Sequence, residues 1–288
     1  MILWARYDNF MRLQEEMTNR TIQNFNLVTS LLTIVNSNKT DDISYTLAKY
    51  LLVHFNEIEH LNIYDFANAC FTSRSSIQRF VKSIGYDSFT TMKQKVAESR
   101  HHLNAYHEYA RQNNFESYFN LSIQDMVKDI TEMYHVQNMD ELIDQILKCE
   151  HVVILLADTC SSSARDFQRE MILLGKIIHV VTSSCPETNL LNRLTENDLI
   201  ITISTTGSFA IAIHNELSEI KAHRVLLTIN HSKQFESWFN KIYYLSSKEY
   251  ASDEILANGL QNVYTKYGPH YFFDLLFSHC LKKHEKTV

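Results

Sequence analysis

Between residues 151 and 245 short apolar runs alternate with segments of helical period, and this alternation limits the possible folds more than any other feature of the chain. His151 to Ala157 (HVVILLA) is a continuous apolar run, the mark of a strand covered on both faces. Lys176 to Thr182 (KIIHVVT), Leu199 to Ser204 (LIITIS), Arg224 to Ile229 (RVLLTI) and Lys241 to Leu245 (KIYYL) repeat the pattern. Ser161 to Leu174, ending at Gly175, and Phe209 to Ala222 have helical period. Ile123 to Leu147 and Leu256 to Lys283 read as further helices. Strands alternating with helices at this spacing predict βαβ units and a parallel sheet. Ligands of such sheets bind beyond the carboxyl ends of the strands, where the strand order reverses.

One strand runs into a loop suited to that role. In DLIITISTTGSF (residues 198–209) the apolar run delivers Ser204, Thr205, Thr206 and Ser208 as hydroxyl donors, with Gly207 allowing close backbone approach. Amide groups opening the helix from Phe209 would add anion affinity. A hydroxyl cap before an ordinary helix is the competing explanation.

The first hundred residues read as helices throughout. Phe25, Val28, Leu31, Leu32 and Val35 form one apolar stripe, and Ile43, Leu47, Tyr50, Leu51 and His54 form the next, capped by Asp41 or Asp42. Ile63, Phe66, Ala67 and Cys70 then share a face of a short helix. Thr72-Ser73 supplies a hydroxyl N-cap, and Ile77, Phe80, Val81 and Ile84 repeat at i, i+3, i+4, i+7. Ser75, Gln78, Arg79 and Lys82 fall opposite that stripe, and Gly85 stands where a helix ends in a left-handed turn. Two short helices with this spacing make a helix-turn-helix whose second helix offers cations, an amide and hydroxyls to phosphates and base edges. From Cys70 to Arg100 the six basic residues Arg74, Arg79, Lys82, Lys93, Lys95 and Arg100 face only Asp87 and Glu98, an excess of four in a chain of net charge −6. Such a local patch on an acidic protein is the footprint of a polyanionic partner. Thr72, Ser73, Arg74, Ser75, Ser76, Gln78, Arg79, Lys82, Lys93 and Lys95 are the candidate DNA-binding residues.

The run TSRSSIQRFVKSIGYDSFTTMK (residues 72–93) resembles the helix-turn-helix signature of the RpiR/MurR family of bacterial transcription regulators. Ser75, Ser76, Ile77, Arg79, Phe80, Lys82, Gly85, Tyr86, Phe89 and Lys93 match that pattern in place. The resemblance implies a second domain of the SIS (sugar isomerase) type, which binds phosphosugars. Its second motif, Ser-x-Ser-Gly-x-Thr, is met by Ser204 and Gly207, with Thr206 for a serine and Phe209 for a threonine. Its first, Gly-x-Gly-x-Ser, falls on Leu156, Asp158 and Cys160, so the glycines are lost and the hydroxyl is a thiol, although Ser161, Ser162 and Ser163 follow directly. Leucine and aspartate cannot replace glycine where a backbone must approach a ligand, and Asp158 adds negative charge to the loop. Three readings stay open: a shifted phosphate site using Ser161 to Ser163, a ligand without phosphate, or a domain kept for dimerisation. Cys160, Ser161, Ser162, Ser204, Thr205, Thr206, Gly207 and Ser208 are the candidate ligand-binding residues.

The expected fold class is an all-α helix-turn-helix domain (1–105), a helical connector (106–122) and an α/β domain (123–288), a three-layer sandwich around a parallel sheet. The polar stretch from His101 to Ser117 (HHLNAYHEYARQNNFES), where the domains join, lacks glycine and proline, so it should be mostly helical. Residues 2–13 form an amphipathic segment read as a packing helix. No apolar run is long enough for a membrane span, and MILWARYDNFMRLQEE lacks a signal-peptide core, so no membrane partner is expected and the cytoplasm is the expected compartment. Five dispersed cysteines without C-x-x-C argue for free thiols, with no metal site and no cofactor. The reading is a regulator of carbohydrate-metabolism genes, a homodimer or higher homo-oligomer on a palindromic double-stranded operator, controlled by a phosphosugar. The alternatives are a sugar-phosphate isomerase, for which Glu254 and His270 are the available acid–base groups, and a phosphosugar sensor acting on a protein partner.

Overall fold

The computed structural model describes residues 27–37, 42–157, 161–182, 188–248 and 260–286. The fold divides into two compact units, the first ending at Asn104 and the second beginning at Ala105. The amphipathic segment at residues 2–13, Cys160 and Glu254 lie outside the described residues.

The first unit is helical. Helices α1 (Leu27–Asn36) and α2 (Ile43–Val53) are followed by a 3-10 turn (Phe55–His60), α3 (Ile63–Ala69), α4 (Arg74–Ser83) and the start of α5 (Phe89–Ala110). Asp42 is the N-cap of α2, its carboxylate accepting from Ser44 N, and Asn62 caps α3 in the same way through Tyr64 N. Leu27, Leu31, Leu47, Leu51, Ile58, Phe66, Ile77, Val81, Met92 and Val96 close one core, into which the predicted stripes of α3 and α4 both point. Phe66 stacks on Tyr50 and Phe89, tying α2, α3 and α5 together.

The second unit surrounds a five-stranded sheet, with strands β1 (Val152–Leu156), β2 (Ile178–Val181), β3 (Leu199–Ile203), β4 (His223–Thr228) and β5 (Lys241–Tyr244). All neighbours are parallel and the order is β2-β1-β3-β4-β5. Every residue of β1 and β3 is buried, as expected of a sheet covered on both faces. One face carries Val152, Ile154, Leu156, Leu199, Ile201, Ile203, Val225 and Leu227 into a core shared with α6 (Phe115–Val136), α7 (Asp140–Lys148), α8 (Ser161–Met171) and α12 (Leu260–Glu285). Beyond β2 and β3 come α9 (Thr188–Leu191), α10 (Ser208–Ala212) and α11 (His214–Ser218), which with the β4–β5 link bury Leu191, Phe209, Ala210, Leu217 and Phe235.

Three helices predicted as continuous are broken. Ile123 to Leu147 divides between α6 and α7 at Asn138, whose φ is +52°. There the Gln137 amide pairs with a strand: Nε2 donates to Tyr244 O at 2.8 Å and Oε1 accepts from Tyr244 N at 2.6 Å. Phe209 to Ala222 divides into α10 and α11 at Ile213. Ser161 to Leu174 narrows to a 3-10 turn after Met171 and ends on Gly175 at φ +68°. The stretch read as a connector is largely helical, with α5 ending at Ala110 and α6 starting at Phe115.

Candidate functional site

The turn between α3 and α4 is closed by backbone bonds. Thr72 N donates to Ala67 O and Phe71 N to Asn68 O, the paired bonds that end a helix in a left-handed residue. That residue is Phe71, at φ +50°, where glycine would be unstrained. For an L side chain this conformation costs about 1–2 kcal/mol. Ser73 then opens α4: its Oγ accepts from Ser76 N at 3.2 Å and lies 2.8 Å from Ser75 Oγ and 3.0 Å from Ser76 Oγ. At the far end Tyr86 N bonds Val81 O and Gly85 N bonds Lys82 O, with Gly85 at φ +91°. Both ends of α4 are therefore fixed, and its face is set by the burial of Ile77, Phe80, Val81 and Ile84.

Opposite that stripe Arg74, Ser75, Arg79 and Lys82 are exposed, with Gln78, Ser76 and Thr72 half-buried. Arg74 is held in place: its Nη1 donates to Tyr64 Oη at 2.6 Å, and its guanidinium carbon lies 4.4 Å from the centre of that ring. Arg79 Nη2 reaches Ser76 Oγ at 3.4 Å. Lys95 is exposed on α5. Lys93 is placed differently. Its half-buried ammonium donates to Glu59 O at 2.9 Å and Leu61 O at 3.1 Å, closing the end of the 3-10 turn, so it serves the fold and not an outer face. Burial pushes the Cys70 thiol up, making it an inert part of this core.

In the second unit the strand order runs outward from β1 to β2, then returns through β3, so the order reverses between β1 and β3. Leu156 is paired with Ile203 in register, and the loops leaving these residues therefore start side by side at the carboxyl edge. This is the crevice where open α/β sheets hold ligands. Both hydroxyl-rich segments singled out in the sequence flank it. The first continues to Ser161 and Ser162 at the start of α8, and the second is Ser204 to Ser208.

Within the second loop the hydroxyls divide by role. Ser204 is buried and its Oγ accepts from Ala210 N at 3.1 Å; Thr205 is buried, with its carbonyl accepting from Ile229 N and Thr228 Oγ1. Thr206 Oγ1 donates to Ser208 Oγ at 3.1 Å and accepts from Ser208 N, while its carbonyl accepts from Asn230 Nδ2 at 2.8 Å. Gly207 is at φ +86°, and a Cβ there would lie 2.7 Å from the Phe235 ring and 2.8 Å from Asn230 Nδ2. The glycine is thus required by packing against the protein's own side chains. The capping role of Ser204 and the five-residue length of α10 leave Thr206 and Ser208 as the outward hydroxyls of this loop.

A partner for the first loop comes from α12, and no sequence spacing announced it. His270 Nδ1 lies 3.0 Å from Lys266 O, which can only accept, so in the neutral ring Nδ1 carries the proton. Its Nε2 then accepts from Ser162 Oγ at 3.3 Å. The exposed Ser162 hydroxyl is therefore already oriented by an imidazole 108 residues away. Among the described residues no cluster of three His, Cys, Asp or Glu side chains is placed to hold a metal ion, and no helix is long and apolar enough to cross a membrane.

The family comparison bears on the first unit, where residues 31–102 match the model of the helix-turn-helix domain, rpiR family. Residues 31–102 are an RpiR-family helix-turn-helix domain. The chain is also 42% identical over 53 residues to an uncharacterized HTH-type transcriptional regulator of Caldanaerobacter subterraneus subsp. tengcongensis. That match covers 18% of this chain and spans 19% of the relative's length. Among solved structures, the Vibrio vulnificus NanR protein complexed with ManNAc-6P aligns over 91% of this chain and 93% of its own, at 16% identity and a TM-score of 0.45. The sugar isomerase domain of an RpiR transcription factor from Sphaerobacter thermophilus covers 57% of this chain and 95% of its own, at 12% identity and a TM-score of 0.35.

Proposed function

We propose that this chain is a transcription regulator of carbohydrate-metabolism genes that binds double-stranded operator DNA through α4 and responds to a phosphosugar at the carboxyl edge of its sheet. The reading is carried by one observation. In an RpiR-type domain, α4 is capped at both ends and presents Arg74, Ser75, Arg79 and Lys82 on the face opposite its buried stripe. Ser75, Gln78 and Arg79 are the proposed base-edge contacts, and Arg74, Lys82 and Lys95 the phosphate contacts. Ser73 and Ser76 hold the amino end of the helix, where the capping hydroxyls keep base-reading residues in register, and Thr72 precedes them through its backbone bond to Ala67 O. Two copies on a palindromic site would place two such helices in successive major grooves.

The effector site is proposed at the β1/β3 crevice, with Ser161, Ser162, Thr206 and Ser208 as donors, Gly207 shaping the loop and His270 orienting Ser162. A Ser–His pair and outward hydroxyls suit a sugar phosphate, and no reaction step is assigned to them. Two observations favour a second reading, in which the α/β unit serves assembly alone: Ser204 and Thr205 are buried, and Ser204 caps α10.

The test uses the full chain and the DNA upstream of its own gene, with affinity measured at two salt concentrations. The expected result is specific binding that weakens steeply with salt, about −0.9 in log–log slope for each phosphate neutralised. Absence of binding at low salt overturns the regulator reading. Melting the protein against a panel of phosphosugars is expected to show one that stabilises it by about 2.7 kcal/mol at a hundredfold excess over Kd. Ser162→Ala and Thr206→Val should each remove that shift. A panel with no stabilising member removes the effector reading and leaves the assembly reading.

A further inference from the structure

The α3–α4 turn holds a feature that the contacts assigned to α4 leave unused. Phe71 is 98% exposed, more than any other large apolar residue described. Its backbone is at φ +50°, and the bonds Thr72 N to Ala67 O and Phe71 N to Asn68 O fix it there. Only one other described non-glycine residue has a positive φ, Asn138, and asparagine tolerates that region. A phenylalanine therefore occupies a position suited to glycine, and its ring is turned into solvent. Among the described residues, neither the fold's core nor a ring contact uses it. The residue stands two positions before the Ser73 cap, beside the end of α4 that a helix-turn-helix turns toward base edges. Its neighbours on this surface are cationic or hydroxylic: Arg74 clamped on Tyr64, then Ser75 and Arg79. A polyanion drawn to those cations meets the ring at the same time. The apolar group that the major groove of a duplex offers is the C5-methyl of thymine.

We propose that Phe71 packs on a thymine methyl at the border of each half-site, so that the turn as well as α4 reads sequence. The inference rests on the DNA-binding reading above and adds a specificity-determining residue to it. Its contact is apolar and independent of salt, unlike those of Arg74 and Lys82.

A high-affinity duplex selected from a random pool with the full chain would be scanned by replacing each thymine with deoxyuridine, which removes only the methyl. In the wild type one position per half-site is expected to lose about fourfold in affinity, the value of one buried methyl-sized group. Phe71→Gly and Phe71→Ala should bind more weakly and show no further loss at that position. The glycine variant suits the left-handed turn, so its melting temperature is expected at or above the wild-type value, which separates lost contact from lost fold. A scan with no sensitive thymine, or an equal loss at the same thymine in Phe71→Gly, overturns the proposal while the regulator reading stands. No duplex binding at low salt overturns both.

Discussion

Asp129 is a buried charge whose retention depends on its hydrogen bonds. The carboxylate sits on α6 and accepts from Ser246 Oγ at 2.5 Å, Tyr264 Oη at 2.6 Å, Ser247 N at 2.9 Å and Ser247 Oγ at 2.8 Å. Burial pushes its pKa up, but these four donors outweigh that and hold it below the usual carboxylate range. The group thereby locks α6, the segment after β5 and α12 to one another. Because the folded pKa is depressed, its contribution is fully present above the ordinary aspartate pKa and is lost as pH falls through the lower, folded value. Asp129→Asn is expected to destabilise the protein by roughly 2–3 kcal/mol at neutral pH, since one amide cannot accept from all four donors. In melts recorded from pH 7 downward, the gap between wild type and variant should close below the usual carboxylate range. A constant gap down to pH 2 would show that shape, not charge, holds the site.

At the scale of elements, the lysines of the RpiR-type domain separate into two kinds. Lys82 is exposed on α4, whereas Lys93 on α5 is bonded to the carbonyls of Glu59 and Leu61. Lys82→Ala is expected to leave the melting temperature within a degree or two of wild type and to reduce the salt slope of DNA binding by about one. Lys93→Ala should do the reverse: a loss of about 1–2 kcal/mol in stability from two unsatisfied carbonyls, with the slope unchanged. A slope left at the wild-type value in Lys82→Ala would place Lys82 off the duplex. Sequence alone made these two lysines equivalent, because both lie in one basic stretch. What it did reveal was local: apolar stripes at helical spacing, the Ser73 cap, the Gly85 turn and the five apolar strand runs all have short-range causes. The breaks at Gln137 and Ile213 were not legible, since periodicity carries on across them and the amide pairing of Gln137 with Tyr244 joins residues 107 apart. The Ser162–His270 pair and the left-handed Phe71 escaped for the same reason: the first needs the fold, and the second has no glycine to announce it.

At the scale of the whole molecule, the second unit leaves one sheet edge with apolar company. Strand β2 is an edge strand, and just before it Ile172, Leu173 and Ile177 are 63%, 78% and 70% exposed. An edge strand flanked by exposed branched side chains is an aggregation hazard in a monomer and a ready self-complementary surface in a dimer. The proposed reading of a palindrome needs a second copy, and we propose that two chains pair through this edge, which would also cover these side chains. The consequence is testable by charge. Leu173→Asp with Ile177→Asp alters only exposed positions, so the variant is expected to melt close to wild type while sedimenting as a monomer where the wild type sediments as a dimer. Linked binding makes the second half-site intramolecular, so the monomer should lose roughly a hundredfold in affinity for a full palindrome and little for an isolated half-site. A variant that stays dimeric moves the interface elsewhere on the α/β unit. A monomeric variant that keeps full affinity for the palindrome shows that each half-site is read independently, and that the edge of β2 has no part in recognition.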